Sequence, residues 1–231
     1  MTLLGIIVPI VVVAAVVAII AKSLKYIGPT DIGLVTTRFG RRLNEGSVLA
    51  MKGEAGFQHK LLMPGWRFKL WPVFKIEQFP WVQVPAGEIG VVIAQVGAPL
   101  PVGAKSAIYR EQFGDFGSVE TFLANGGGKG VQRPVLPPGT LAPIHPVAFM
   151  VITSRQVYGL PVSQDLADIR LDGSITDGVL RPESLGLDPS QLRVVNIGPV
   201  EGVDMVGIVY ALEGDRSRRA TSRAGSAATR T

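Results

Sequence analysis

Residues 56–76 read GFQHKLLMPGWRFKLWPVFKI, and residues 130–150 read GVQRPVLPPGTLAPIHPVAFM. Set side by side without a gap, Gly56 meets Gly130, Gln58 meets Gln132 and Leu62 meets Leu136. Pro64-Gly65 meets Pro138-Gly139, and Pro72-Val73 meets Pro146-Val147. The residues in common are turn formers and apolar residues, and no catalytic residue type recurs. Such a phrase describes a structural unit written twice.

The repeat extends upstream. DIGLVTTRFGRRL, from Asp31 to Leu43, matches EIGVVIAQVGAPL, from Glu88 to Leu100, and a partial third copy, MVGIVYALEGD, starts at Met205. Each copy has a glycine, a run rich in β-branched residues, and a second glycine seven positions on: Gly33/Gly40, Gly90/Gly97 and Gly207/Gly214. Short Val/Ile-rich runs closed by glycine predict strands that end in turns. Pro-Gly suits the centre of a type II turn, because proline presets φ and glycine accepts a positive one. After the first Pro-Gly, Trp66, Phe68 and Leu70 alternate with Arg67 and Lys69. This pattern predicts a half-buried strand with Trp66 and Phe68 in the core. The second copy carries a longer insertion, FGSVETFLANGGG, in which Ser118 can cap a short helix through Asn125.

Leu3 to Ala21 contains no charged residue and is followed by Lys22, Lys25 and Tyr26. As a helix at ~1.5 Å per residue it approaches bilayer thickness. A cleaved signal peptide would want a basic start and a small-x-small site, which Ile19-Ile20-Ala21 does not provide. The expectation is an uncleaved transmembrane anchor, with the basic flank placing the body in the cytoplasm. Lys22, Lys25, Tyr26, Trp71 and Trp81 are then candidates for the membrane interface; for Trp71 and Trp81, a place in an ordinary core is an equal alternative.

The net charge of +5 does not indicate nucleic-acid binding. The last stretch, DRSRRATSRAGSAATRT, holds five Arg and one Asp, which leaves 23 − 5 = 18 basic against 18 − 1 = 17 acidic residues elsewhere. The chain has no cysteine, and its two histidines, His59 and His145, stand at no metal-ligand spacing. NGGGKG, residues 125–130, lacks the Ser or Thr that a phosphate loop places after its lysine. No catalytic residue, cofactor or metal is expected.

The expected fold class is an N-terminal transmembrane helix, then small repeated mostly-β (α+β) units, then a disordered basic tail. The expected division is an anchor at 1–26, a first unit at 27–84 and a second at 85–158. A loop-rich linker at 159–203, a partial third unit at 204–214 and the tail at 215–231 follow. The apolar start, GPTDIGLVTTRFGRRL and LLMPGWRFKLWPVFKIEQFP together resemble the opening of the stomatin–prohibitin–flotillin (band-seven) family, its flotillin-like bacterial members in particular. The resemblance implies a non-enzymatic membrane scaffold whose partners are the lipid bilayer and either further copies of itself or other membrane proteins. The charged coiled-coil segment typical of such proteins does not follow here, so a monomeric membrane-tethered binding module and a truncated fragment are the alternatives.

Overall fold

The computed structural model describes residues 3–44, 46–133, 135–162, 181–185, 187–195 and 197–198. The chain divides into residues 1–195 and residues 196–231. The expected third unit and tail lie outside the described residues, as does the part of the linker at 163–180.

A helix, α1, runs from Leu3 to Ser23 with Pro9 inside it. The transmembrane helix expected at this point is corrected, and with it the single-pass attachment and the cytoplasmic placement of the body. Among the described residues no helix is long and apolar enough to cross a membrane. The helix closes on Ser23, whose hydroxyl donates to the Ile19 carbonyl at 2.6 Å and accepts the Trp71 amide at 2.9 Å. The Lys69 amide donates to the Ser23 carbonyl, so the joint between helix and body is hydrogen-bonded on both sides.

The rest is mostly β. Strand β1 (Leu24–Ile27) is followed by β2 (Asp31–Thr37), β3 (Gly56–Leu62), β4 (Gly65–Phe68) and β5 (Phe74–Pro80). Then come β6 (Val82–Gln83), β7 (Val91–Ala94), β8 (Ala107–Ile108), β9 (Gly130–Arg133), β10 (Leu141–Ala142), β11 (Phe149–Ile152) and β12 (Val157–Tyr158). A three-stranded sheet has the order β3-β2-β5, and a five-stranded sheet the order β12-β11-β7-β9-β8. Two small ribbons, β1-β4 and β6-β10, stand beside them.

The repeated phrases fold as repeated pairings. Gly33 lies opposite Leu62 and Thr37 opposite Gly56; in the second copy Gly90 lies opposite Leu136 and Ala94 opposite Gly130. Gln58 donates from Nε2 to the carbonyls of Glu54 and Gly56, and Gln132 does the same to Gly128 and Gly130. The two glutamines therefore recur as clamps on a backbone corner and not as reactive groups. Gly40 and Gly97, expected to end strands in turns, are also places of close backbone approach: a Cβ on either would strike a neighbouring backbone segment, at the Ala55 amide and the Gly127 carbonyl respectively.

The gapless match needs one correction. Lys25 pairs with Arg67 in the first ribbon, and Val82 with Ala142 in the second. Arg67 is two residues past its Pro-Gly, whereas Ala142 is three past, so Thr140 is an insertion in the second turn. Beyond it the copies are offset by one: the Phe74 amide donates to the Leu70 carbonyl, and the Phe149 amide to His145, both at 3.0 Å. Structurally, Trp71-Pro72 and not Pro72-Val73 corresponds to Pro146-Val147.

The core sits under the insertion of the second copy. Helix α2 (Val119–Ala124) is capped by Ser118, whose hydroxyl accepts the Thr121 amide at 3.2 Å. It carries Phe122 into a cluster with Phe113, Phe116 and Phe149, at ring separations of 5.2, 6.2 and 5.1 Å. Val92, Ala94, Val147 and Val151 complete this buried layer. In the linker, Asp188 caps a short 3-10 turn over Pro189–Leu192, and the Leu192 carbonyl accepts the Ile89 amide.

Candidate interaction surface

The β1-β4 ribbon has two faces, set by its register. Leu24 stands opposite Phe68 and Tyr26 opposite Trp66, so these four share one face; Lys25 and Arg67 share the other. The aromatic face points outward. Trp66 is 66% exposed, Phe68 59%, Tyr26 52% and Leu24 46%. Tyr26 and Trp66 pack at a ring separation of 5.3 Å.

This corrects the expected core placement of Trp66 and Phe68. The alternation of apolar and basic residues is real, but the sides are reversed. Arg67 turns back on its own corner, donating to the carbonyls of Met63 at 3.1 Å and Pro64 at 3.4 Å. Lys69 lays its ammonium over the Phe74 ring at 5.1 Å. Basic side chains with long apolar stems thus cover the inner side, and the aromatic rings are left outside.

The expected interface residues fall into three places. Lys22 and Trp71 meet, with the ammonium 4.6 Å from the ring centre and Trp71 37% exposed. Tyr26 joins Trp66 on the outward face, and Lys25 is exposed on the opposite one. Trp81 belongs to the body: its indole N–H donates to the Asp31 carbonyl at 3.2 Å and its amide to Thr30 at 2.8 Å. The described side chains of α1 extend the apolar surface, with Ile10, Val13 and Val17 among those exposed to solvent. None of Lys22, Lys25, Arg67 and Lys69 takes part in an ion pair among the described residues. The sequence does not identify Trp66 and Phe68 as surface residues, because alternation alone cannot tell which side is covered. The register with Leu24 and Tyr26, which carry the apolar run of α1 into the ribbon, is what decides it.

The polar groups that could do chemistry are occupied with structure. His145 is buried, and its Nδ1 faces the amides of Val147 and Ala148 at 3.2 and 3.1 Å. Two donors fix Nδ1 as an acceptor, so the ring proton is on Nε2, which donates to the Gln58 carbonyl at 3.0 Å. Burial pushes its pKa down to about 4, and the Gln58 carbonyl only partly offsets that shift. His59 holds the Ala50 carbonyl through Nδ1. Among the described residues no group of three or more His, Asp or Glu could hold a metal ion. In the glycine loop, the amides of Gly127 and Lys129 are spent on Phe122 and Ala98. A cleft of about 320 Å³ beside that loop is lined by Ser47, Leu49, Gln95, Gly97 and Lys129 among others, with neither a histidine nor a carboxylate among the described residues that line it.

No family model, curated protein or solved structure matches this chain. The resemblance to the band-seven family, read from the apolar start and the two phrases that follow it, therefore has no support from these comparisons.

Proposed function

We propose that this chain is a non-catalytic scaffold or interaction protein that docks on an anionic lipid surface through α1 and the β1-β4 ribbon. The observation that carries the reading is the exposed aromatic group Tyr26, Trp66, Phe68 and Trp71 at the foot of α1, with the exposed cations Lys22 and Lys25 near it, neither of which has a carboxylate partner among the described residues. Aromatic rings with a polar edge favour the water–lipid boundary, and lysine or arginine beside them favours anionic head groups. A contiguous apolar surface of this kind marks a place of interaction. The repeats support the non-catalytic part, since the polar residues they share hold backbone corners.

The test is sedimentation of the full chain with vesicles of zwitterionic lipid, with and without added phosphatidylserine. The wild type is expected to prefer the anionic vesicles, and Trp66 fluorescence to shift to the blue on binding. At about 1 kcal/mol per basic residue, K22Q/K25Q should weaken anionic binding roughly thirtyfold. Equal binding by wild type and variant to both vesicle types would overturn the reading. Loss of exposed Trp66 fluorescence with concentration in the absence of lipid would favour a second copy as the partner.

A further inference from the structure

Strand β5, Phe74–Pro80, is the last strand of its sheet, whose order is β3-β2-β5. The ladder with β2 fixes which way its backbone groups point. The Arg38 amide donates to the Val73 carbonyl at 2.9 Å and the Trp81 amide to the Thr30 carbonyl at 2.8 Å, so the odd-numbered residues of β5 turn their N–H and C=O groups to β2. Those of Ile76 and Gln78 point the other way, and no strand among the described residues pairs with them. The Phe74 amide, on that same side, donates to the Leu70 carbonyl.

The second copy shows the same edge covered. Val151, the counterpart of Ile76, lies opposite Tyr158 of β12. Strand β12 folds back on β11 through a tight corner, where the Thr153 amide donates to the Gln156 carbonyl at 3.0 Å. With the one-residue offset after Thr140, Ser154-Arg155 of that corner correspond to Phe79-Pro80. In the first copy the chain runs straight on into β6, which pairs with β10 instead. The first copy therefore lacks the strand that covers the second, and an uncovered edge is a template for another strand.

The side chains select the partner. Lys75 and Glu77 stand on one face of β5, with the ammonium 2.6 Å from the carboxylate. When β5 pairs antiparallel with β5 of another copy, a two-fold axis at Ile76 sets Lys75 opposite Glu77 twice. An axis at Lys75 or at Glu77 sets like charges opposite each other. The axis at Ile76 also lets Ile76 exchange both backbone hydrogen bonds with its own counterpart, because its N–H and C=O point outward. A lysine on an edge strand ordinarily guards against pairing, but in this register an acid meets it. We infer that two copies of this chain join edge to edge through β5, antiparallel and centred on Ile76, into one continuous sheet. Such a contact uses the same patch on both partners and closes at a dimer. It involves no residue of α1 or of the β1-β4 ribbon, so it stands apart from lipid docking.

The experiment uses full chains in mild detergent without lipid, with sedimentation to read association and thermal unfolding to check each variant. K75E and E77K are each expected to weaken self-association about tenfold, because each creates two like-charge pairs across the axis. A mixture of the two is expected to associate like wild type: every cross pair is opposite in sign again, although the pair within each strand stays broken. The proposal is overturned by single variants that associate like wild type, by a mixture no tighter than either variant alone, or by a wild type that stays a monomer. If a single exchange loses its thermal transition, K75E/E77K decides. It is expected to associate with itself like wild type and about tenfold more weakly with wild type, and equal association overturns the proposal. Hydrogen exchange distinguishes a second copy from a strand of the same chain. The amides of Ile76 and Gln78 are expected to exchange about tenfold faster when the dimer is diluted to monomer. Slow exchange at every concentration would put the covering strand within the chain and overturn the proposal.

Discussion

Gly33 and Gly90 hold the same position in two copies of one unit, and each is enclosed by the same three neighbours. A Cβ on Gly33 would lie 2.6 Å from Ile27, 3.1 Å from Leu62 and 3.3 Å from Ile76. On Gly90 it would lie 2.9 Å from Val84, 3.2 Å from Leu136 and 3.3 Å from Val151. These pairs, Ile27/Val84, Leu62/Leu136 and Ile76/Val151, are themselves equivalent under the repeat. Neither glycine has a positive φ, so the requirement is for space and not for an unusual backbone.

G90A is accordingly expected to destabilise the chain by about 1–3 kcal/mol, the ordinary cost of overpacking a filled site. G33A should cost less, because its nearest neighbour is the flexible tip of Ile27. Urea unfolding of both variants checks the order, and an unchanged midpoint for G90A would remove the packing argument.

His145 predicts a loss of stability in mild acid. Its folded pKa, about 4, is below its ordinary value of 6.5, so between those values the unfolded chain binds the extra proton. Stability is then full above about pH 6.5 and falls as pH drops towards 4, by on the order of 3 kcal/mol. Replacing the ring by H145N should remove that slope and lower stability at neutral pH. A wild-type unfolding midpoint that follows the same pH course as H145N would refute the buried neutral imidazole.

Two aromatic substitutions should part company. Phe122 is fully buried among Phe113, Phe116 and Phe149, and F122A is expected to cost about 3–5 kcal/mol. Trp66 is exposed, and W66S should stay within about 0.5 kcal/mol of wild type in thermal unfolding without lipid. A large loss from W66S would return Trp66 to the core.

The strands at Asp31–Thr37 and Val91–Ala94 were legible because β-branched runs bounded by glycine report on backbone pairing, which is local. The cap at Ser118 was legible for the same reason. The orientation of Trp66 and Phe68 was not, because it depends on what lies across β1 and on how Arg67 and Lys69 fold back over the inner side. His145 was also opaque: its role rests on the Gln58 carbonyl, 87 positions away. The apolar stretch behind α1 was legible as a helix, but among the described residues no helix is long and apolar enough to cross a membrane. The purpose of Gly33 and Gly90 was visible only as recurrence, since the atoms that exclude a side chain there come from three separate segments.

Thr140 bears on how two copies of one segment can drift apart. A residue added inside a strand turns every later side chain to the opposite side of the sheet. The addition at Thr140 falls in the corner after Pro138-Gly139 instead, and the pairing resumes with Leu141 against Gln83 in the same sense as Trp66 against Tyr26. The corner works as a slack joint, in which the duplicated segment can gain length by insertion while both sheets keep their inward and outward sides.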